Sequence, residues 1–373
     1  MAQNKVNAYG LDGTLRYVFQ DFVRLDYGCG ENKPGALELI ISDDGSFKPS
    51  DWTLDMAFCV FRKVGGYPWY LEGERAYLLR EWVYETDSRY QKIIRLRCTD
   101  AMEILSRRII AYTAGTAYTN KTAMCDDMIK ALWRENLGAL ATDATRSIAA
   151  YVGIQADTGA APSTTKEFSN RNVLTTSQEL AKDSFSLGTY MAFDVVWLGS
   201  GGATVMEART YATQRGTDRR AGTIAPITVS EATGTLDGAK LDYNFSNEVT
   251  FQYAGGRGEG VNRMIVSTSD AARMAASALN RVEGWVDARN SESTASVTSE
   301  AQSALKKNRA TVGITGRLVD TDAIQYGVSY NYGDYITAVH KGISVDCHVD
   351  TVKCIVEKGN EKLTISVKGE TIP

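Results

Sequence analysis

Only two histidines, His340 and His348, are available for acid–base chemistry in this chain of 373 residues. Histidine is the side chain that most often transfers protons near neutral pH, so its scarcity removes most acid–base and metal-binding constellations. His348 follows Cys347 and precedes Cys354, which could offer zinc thiolate and imidazole ligands. On a strand, however, Cys347 and His348 point to opposite faces. The pattern therefore does not favour a metal site.

Two short motifs resemble parts of enzyme sites without completing them. Ser303 and Lys306 have the serine–lysine spacing of penicillin-binding enzymes, but neither a Ser-Asp-Asn nor a Lys-Thr-Gly partner occurs. They fit the exposed face of a helix. The glycines of Gly255–Gly260 lack the Lys-Ser/Thr ending of a phosphate loop and the G-x-G-x-x-G frame. They indicate a turn with unusual backbone angles.

Neighbouring carboxylates occur at Asp126–Asp127 and at Asp320 and Asp322. Paired carboxylates can serve as general acid and base, but such pairs are also common on solvated surfaces. No arrangement in the sequence identifies a catalytic, cofactor-binding or metal-binding residue. We therefore expect a protein that is not an enzyme and needs no cofactor.

The composition is that of a globular protein, with 43% hydrophobic and 23% charged residues. Lysine and arginine number 41 against 45 acidic residues, a formal charge of −4. A chain that grips nucleic acid along its length would normally be basic, whereas a weakly acidic wall would let DNA slide past. Six cysteines without a framework spacing favour reduced thiols. Neither a secretion signal nor a membrane-spanning run is predicted, so we expect assembly in a cytoplasm.

Hydrophobic periodicity predicts β structure at both ends and a mixed segment between them. Alternating residues from Leu15 to Leu96 indicate an antiparallel β region, and four or more strands are predicted from Thr311 onward. Further strands are predicted at Met191–Leu198, Ala203–Tyr211, Asn247–Tyr253 and Arg263–Ser267. The residues from Gln155 to Lys166 are predicted to form a loop.

Five segments have helical spacing. The second of them is predicted to be capped by Thr119–Asn120, to bury Met124, Met128, Ile129, Leu132 and Trp133, and to stop at Gly138. The other four are Met102–Ile109, Asn172–Ser184, Asp270–Val282 and Ser299–Arg309.

Two stretches of the chain have a similar layout. Met56–Lys63 is followed by a turn, further strands and Lys92–Cys98, and Asp334–Lys341 is followed by a turn, further strands and Lys362–Gly369. Their identity is slight, and any two β domains share such alternation, so both duplication and chance remain open. Duplication predicts the same strand order in both stretches. Arg95 and Arg97 share one strand face, where we expect them to point away from a channel or to be paired with carboxylates.

Several motifs, in this order, resemble the minor tail proteins of siphophages, the ReqiPepy-type tail hub family. They are Leu96–Ile110, Met128–Gly138, Asn172–Ala181, Phe193–Val196, Gly256–Gly260 with Arg263, and Gly333–Asp334. The resemblance runs from about residue 35 to residue 345. Members resemble the trimeric baseplate hub of contractile phages.

The resemblance implies an α+β, mainly β fold, with two tube-like antiparallel β-barrel or sandwich domains and an inserted α+β domain. We place the wall domains at residues 1–110 and 216–373 and the insertion at 111–215. The implied function is structural: a tail-tip or baseplate hub that joins the distal tail ring to the tip and lines the channel for DNA passage. Three copies of a duplicated chain would present six similar wall segments to a sixfold tube.

The implied partners are further copies of the chain in a trimer, the distal tail protein ring, the tape measure protein, and receptor-binding or tip proteins. DNA would pass without specific binding, in a virion tail assembled in the cytoplasm of the host bacterium. The family-motif positions are expected to serve structure or interfaces: Leu105, Arg107, Arg108, Gly256, Gly258, Glu259, Gly260, Arg263, Gly333 and Asp334.

Two other functions stay open at this stage. A tail-associated cell-wall or glycan hydrolase would need carboxylates clustered in a cleft. A carbohydrate-binding tail module is suggested only by 19 tyrosines and 6 tryptophans, which serve sheet packing equally well.

Overall fold

The fold is mainly β, with 45% strand and 17% helix. The computed structural model describes residues 2–88, 90–111, 119–141, 143–168, 170–199, 201–289 and 293–371. The prediction of a mainly β, antiparallel fold with an α+β insertion is confirmed. No sheet closes into a barrel within these residues. Nor does any helix in the described part of the chain have the length and apolarity that crossing a bilayer requires.

The elements are numbered in chain order. The strands are β1 (Ala2–Tyr9), β2 (Leu15–Phe19), β3 (Arg24–Gly30), β4 (Lys33–Ser42), β5 (Ala57–Val64), β6 (Tyr70–Leu71), β7 (Tyr77–Thr86), β8 (Lys92–Asp100), β9 (Thr119–Met124), β10 (Val152–Ile154), β11 (Ser163–Phe168), β12 (Met191–Trp197), β13 (Met206–Ala212), β14 (Asp218–Arg219), β15 (Thr228–Ser230), β16 (Leu236–Asn244), β17 (Phe251–Gly255), β18 (Ile265–Ser269), β19 (Glu283–Asp287), β20 (Thr311–Leu318), β21 (Tyr335–His340), β22 (Ile343–Glu357) and β23 (Asn360–Thr371). The helices are α1 (Glu103–Ser106), α2 (Cys125–Asn136), α3 (Val173–Ser186), α4 (Ala271–Ala275) and α5 (Thr294–Lys307).

One large sheet joins the two ends of the chain. Its main path runs β16-β20-β23-β22-β3-β4-β8-β7-β5-β1-β2. The junction between the N-terminal and C-terminal strands is the antiparallel pair of β22 and β3. Side chains of both strands, including Leu25 and Cys354, are buried in one core. The two predicted wall regions are therefore continuous in one sheet.

The two ends repeat the same strand order. The N-terminal order β5-β7-β8-β4-β3 corresponds to β21-β22-β23-β20-β16 at the C-terminal end, and every neighbouring pair is antiparallel in both. The next strand outward differs, because β1 is antiparallel to β5 whereas β15 is parallel to β21. The same strand order, which duplication predicts, is confirmed for these five strands.

The repeat extends to individual backbone positions. A bulge follows Leu79 in β7 and another follows Val349 in β22. Before each pair of strands, Asp55 and Gly333 adopt a positive φ, and their amides donate to the carbonyls of Leu79 and Val349. A bulge and a left-handed residue at matched places are specific features, since alternation alone produces neither.

The middle of the chain forms a smaller α+β unit that packs against β5 and β7. Helices α2 and α3 pack together with the β10-β13-β12 sheet, while β9 pairs with β11. Leu132 and Trp133 share their core with Ala57 and Leu78 of the large sheet. The boundaries at residues 110 and 215 stay a prediction, because this core spans the first of them.

Three sequence predictions need correction. Helix α2 begins at Cys125, because Thr119–Met124 pairs with β11 as a strand; Met124 is 40% exposed and, as the N-cap residue, makes no side-chain capping bond. The predicted loop up to Lys166 ends earlier, since β11 starts at Ser163. The helix predicted over Asp270–Val282 ends at Ala275.

Between β16 and β20 the chain forms a small additional unit. Strands β17, β18 and β19 form a sheet that packs on α5, around Ala254, Val297 and Ala301. In the N-terminal repeat the equivalent connection, from β3 to β4, is a two-residue turn. The unit is therefore an insertion into the second repeat.

Candidate functional site

The face of the large sheet opposite its cores is polar and balanced in charge. Side chains alternate along strands, so the residues between buried ones share this face over β16, β20, β23, β22, β3, β4, β8 and β7. Its cations are Arg24, Arg95, Arg97, Lys240, Arg317, Lys353, Lys362 and Lys368. Its carboxylates, equal in number, are Asp26, Glu38, Glu81, Glu85, Asp237, Asp242, Glu357 and Glu370. We call this surface the polar face.

Cross-strand pairs neutralise the arginines of the polar face. Arg97 lies opposite both Glu38 and Glu81, at 3.2 and 2.7 Å. Arg95 reaches Glu38 at 3.0 Å and Glu85 at 2.7 Å. The predicted pairing of Arg95 and Arg97 with carboxylates is confirmed. Each cation of this cluster therefore has two acidic partners, and no unpaired basic stripe forms on these strands.

A second set of charges is buried where the chain regions meet. Arg75, with no exposed surface, pairs with Asp100 of β8 and with Asp194 of β12, the latter at 3.2 Å. Burial disfavours its charge, but Asp100 and Asp194 outweigh that effect and hold the pKa of Arg75 well above its usual value. Its guanidinium also donates to the hydroxyl of Tyr332 at 3.0 Å. Arg215 joins the group through Asp194 at 2.9 Å.

This cluster, the Arg75 junction, ties the N-terminal strands, the middle unit and the C-terminal region together. A buried charge without partners would cost several kcal/mol. The cluster is complete only when all three regions are correctly placed, so it specifies how they pack together. The sequence did not predict this cluster. Its members are far apart in the chain, and the only signal was the occurrence of single charges within otherwise apolar strands, such as Asp194 in β12.

A third ionic contact links the two repeats. Arg62 of β5 binds Glu361 of β23 in a two-pronged contact, at 3.1 and 2.7 Å, and donates to the hydroxyl of Tyr70 at 2.9 Å. Asn4 donates to the same carboxylate at 2.8 Å. Arginine–carboxylate pairs of this geometry fix orientation as well as adding energy. The contact therefore fixes the position of one repeat against the other.

His348 is held as a neutral ring. It stacks between Tyr190 and Tyr335, with centroid distances of 3.7 and 4.1 Å. Burial, reinforced by the charge of Arg220, lowers its pKa to about 3. Cys347, its neighbour, points into the opposite core. A ring that stays neutral at physiological pH cannot serve as a proton shuttle, so its role is packing.

His348 lines a cleft of about 610 Å³ between α3, α5 and the C-terminal strands. Glu31 lies on its wall, where burial raises the pKa of the carboxyl to about 7, although a hydrogen bond with Tyr190 opposes the shift. The lining also contains lysines and carboxylates, including Lys307 and Asp350. The lining does not present a nucleophile held by a base, so the cleft offers no recognisable catalytic geometry.

The family-motif residues occupy three separate places rather than one site. Near α1, Leu105 is fully buried, Arg107 pairs with Asp55 at 3.0 Å, and Arg108 donates to the carbonyls of Arg107 and Arg146. Of these contacts, the burial of Leu105 and the bond from Arg108 to Arg146 join the α1 segment to the middle unit.

The glycine-rich motif forms the β17–β18 turn. Gly258 and Gly260 have φ values of +105° and +55°, and Glu259 precedes a single helical turn. A side chain at Gly256 would meet Val297 of α5 at 2.6 Å. Arg263 closes the turn by binding Asp287 at 2.6 Å and lying over the Trp285 ring. The motif is thus a backbone device and not a phosphate loop.

At the third place, Asp334 organises the entry to β21. Its carboxylate accepts from the amides of Thr217 and Asn331, at 2.7 and 3.0 Å, and from Arg219 at 2.8 Å. Gly333 supplies the left-handed turn before it. The other carboxylate pairs also hold loops: Asp126 receives the amides of Ala160 and Ala161, and Asp320 the hydroxyl of Tyr330.

Solved structures with a similar fold are phage tail proteins. They include a 43 kDa tail protein of prophage MuSo2 from Shewanella oneidensis (TM-score 0.56, 11% identity, 98% of each chain covered). A tail protein from Neisseria meningitidis MC58 has a TM-score of 0.54 and 12% identity, over 99% of this chain and 96% of that one. Prophage tail protein gp18 from Listeria monocytogenes EGD-e has a TM-score of 0.52 and 10% identity, over 98% and 94%.

At such low identity these likenesses establish the fold alone. No curated protein matches the chain in sequence. A family profile does: the one described as Siphovirus ReqiPepy6 Gp37-like protein matches residues 72–367. This is most of the chain, and it includes the polar-face strands β8 and β20 and all three motif regions. The chain belongs to the Siphovirus ReqiPepy6 Gp37-like family.

Proposed function

We propose that this protein is a structural hub of the phage tail tip, which joins the distal tail ring to the tip and lines the channel for DNA. Family membership and the shared fold of tail proteins support a structural role in a tail. The observation that carries the finer proposal is the polar face: eight adjacent strands with equal numbers of cations and carboxylates.

The charge pattern suits a wall that DNA must pass. Unpaired lysines and arginines would displace counterions from the phosphates and hold the duplex. Arg95 and Arg97 instead lie between Glu38, Glu81 and Glu85. A surface neutralised by its own pairs neither attracts the phosphates strongly nor repels them over a long range.

The repeat suits assembly by threes. A tail tube is sixfold, and three copies of a chain with two similar wall segments present six such segments to it. The strand order, the bulges after Leu79 and Val349, and the left-handed residues Asp55 and Gly333 support that equivalence. The proposed partners are two further copies, the distal tail protein ring, the tape measure protein and receptor-binding or tip proteins.

We also propose that the protein is not an enzyme and acts in the virion tail after assembly in the host cytoplasm. The neutral His348 and the loop-holding roles of Asp126 and Asp320 support the first part. A zymogram against host peptidoglycan and surface glycan tests it, and clearing by purified protein would contradict it.

The decisive test is an electron-microscopic reconstruction of assembled tails with an antibody or tag on this chain. We expect three copies at the tip, with the polar face toward the axis. Native mass spectrometry of the tip assembly gives the copy number independently. Two or six copies, or a polar face on the outside of the tail, would contradict the hub proposal.

A further inference from the structure

At the junction between the two repeats, one edge of β22 pairs with β3. The corresponding strand of the other repeat, β7, has the same edge. Strand β22 pairs with β21 through its first half, and the same edge of its second half, Thr351–Glu357, pairs with β3. In the other repeat, β7 corresponds to β22. Its start pairs with β5, but Arg80–Thr86 pairs only with β8 among the described residues. The edge that binds β3 in one repeat is thus unpaired in the other.

The complementary edge is also unpaired. Strand β3 pairs with β4 on one side and β22 on the other. Its counterpart β16 pairs with β20 on one side, and the described residues contain no strand paired with its other side. Open edges of seven to nine residues are normally covered or blocked in soluble proteins, because they recruit other strands.

Corresponding residues of β22 and β7 differ in burial, as expected if β7 lacks a neighbouring strand that β22 has. Val352 and Cys354, in the part of β22 that pairs with β3, are fully buried. The corresponding residues of β7 are Trp82 and Tyr84, which lie three and five residues after Leu79, where the bulge begins. Both are only partly buried. On β16, Tyr243 is 51% exposed. Large aromatic side chains flank both open edges, as at a surface that a partner covers.

We propose that β7 of one copy pairs antiparallel with β16 of the next copy, which repeats between chains the β22–β3 junction inside each chain. The inference rests on the proposed trimeric hub and adds its interface. Since β16 to β7 spans eight antiparallel strands, an even number, the alternation of strand direction continues across the new junction. Three copies then close a ring of 24 strands.

The repeat also fixes the register. Rows of directly opposed residues correspond strand by strand. They are Ala57, Leu78, Thr99, Ala36 and Gly28 in the first repeat, and Tyr335, His348, Lys368, Thr315 and Lys240 in the second. Gly28 of β3 lies opposite Lys353 of β22. In β7, which corresponds to β22, the residue at the position of Lys353 is Val83. Val83 of one copy therefore lies opposite Lys240 of the next.

The register also places Glu81 directly opposite Asp242 of the next copy, so these like charges require a neighbouring cation. Lys240 is 68% exposed and has a single, long contact in its own chain, to Asp242 at 3.5 Å. In the predicted register it lies diagonally between Glu81 and Glu85 of the neighbouring copy. Diagonal neighbours of this kind are within reach of long side chains. The new pairs would extend the network of the polar face across the interface.

A disulfide test reads out the register directly. Opposed residues of an antiparallel pair have Cα atoms about 4.5–5.5 Å apart, within the range of a disulfide. The pair Val83→Cys with Lys240→Cys should link chains in assembled tails into dimers and trimers on a non-reducing gel, with nothing longer. The six native cysteines are buried and add little background.

Two controls accompany it. Asp26→Cys with Ile355→Cys, an opposed pair within one chain, should close without linking chains. Val83→Cys with Arg317→Cys should not link, because Arg317 lies on β20, one strand further from the interface than β16. In the wild-type chain, amide exchange over Glu81–Thr86 should slow at least tenfold on assembly, which needs no mutation.

The outcomes separate this interface from the hub proposal. Three copies in the tip without a Val83–Lys240 link and without slowed exchange, when the intrachain control closes, would refute the interface and leave the hub intact. A link from either cysteine to a different tail protein would also refute it. Fewer or more than three copies would overturn the hub proposal and the closed ring together.

Discussion

The stacked ring of His348 makes stability depend on pH. Its folded pKa of about 3 lies below its unfolded value of about 6.5, so the unfolded chain binds more protons between these values. Its contribution is therefore fully present above pH 6.5 and is lost as pH falls toward 3. Glu31 in the same cleft has the opposite sign, because its pKa is raised to about 7 and its ionisation destabilises the fold.

His348→Phe keeps the stacking and removes the titration. We expect the difference in unfolding free energy between wild type and variant to change by up to about 1.4 kcal/mol per pH unit between pH 6.5 and 4, with the wild type losing more. Chemical denaturation at several pH values measures it, and the Glu31 term is common to both proteins. Parallel pH profiles would show that the ring titrates normally in the folded chain.

At the Arg75 junction, removal of one partner should cost far more than removal of an exposed one. Arg75→Gln leaves Asp100 buried without its cation, and we expect a loss of about 3–5 kcal/mol. Arg80→Gln, which breaks an exposed pair with Asp55, should cost less than about 1 kcal/mol. Denaturant titration compares the two. Equal losses would mean that the buried group does not specify how the three regions pack.

Among the elements, the β17–β18 turn separates two kinds of glycine. Gly258 has φ +105°, and a side chain there would meet the carbonyl oxygen of Asn262 at 2.3 Å; Gly260 has φ +55° and open space around it. We expect Gly260→Ala to cost about 1 kcal/mol and Gly258→Ala about 3 kcal/mol or more. Amide exchange in β17 and β18 locates the loss, and similar effects at both positions would contradict the geometry.

What the sequence predicted about these elements depended on local information. The helix at Asn172–Ser184 and the strands at Met191–Leu198 and Ala203–Tyr211 were predicted close to the bounds of α3, β12 and β13, because apolar spacing is a property of adjacent residues. The start of α2 was predicted wrongly. Thr119–Asn120 has the composition of a helix cap, but its backbone pairs with Glu167 and Phe168 of β11, far away in the sequence, and so forms a strand.

The charged groups divide in the same way. Alternation placed Arg95 and Arg97 on one strand face, so their pairing could be anticipated from a single strand. The Arg75 junction could not be, since its four charged members come from four different parts of the chain. Nor could the slight identity of the repeats reveal their matched bulges, which are properties of backbone pairing and not of residue type.

At the scale of the whole molecule, the strands of the first repeat support two cores. The cores on the two faces of β5 and β7 differ: Phe58 and Leu79 face the sheet's own core, while Ala57 and Leu78 support the middle unit. Both faces of these strands are thereby packed, and the middle unit lies on the same side of the sheet as the polar face, because Leu78 is directly opposite Thr99, which shares a strand face with Arg97. Residues 65–76 join β5 to β7 in the first repeat, whereas residues 341–342 join β21 to β22, and between β16 and β20 the second repeat carries the additional unit.

The last prediction concerns the polar face as a surface for moving DNA. Glu38→Gln with Glu81→Gln leaves Arg97 without either of its partners and Arg95 with only Glu85. Unpaired cations repeated around a channel should hold the phosphates, so we expect slower genome release from intact particles at low salt and recovery of the rate at high salt, where screening weakens the contacts.

Glu81→Gln with Arg97→Gln is the matched control. It removes one cation and one carboxylate, leaves the polar face balanced, and should release DNA at the wild-type rate. Dye-detected DNA ejection at several salt concentrations measures all three particles. Both variants carry Glu81→Gln, which lies at the proposed β7–β16 interface, so any change in particle yield should be the same for both. A salt-independent defect shared by both variants would point to assembly, and an unaltered rate in the first would mean that this face does not meet the DNA.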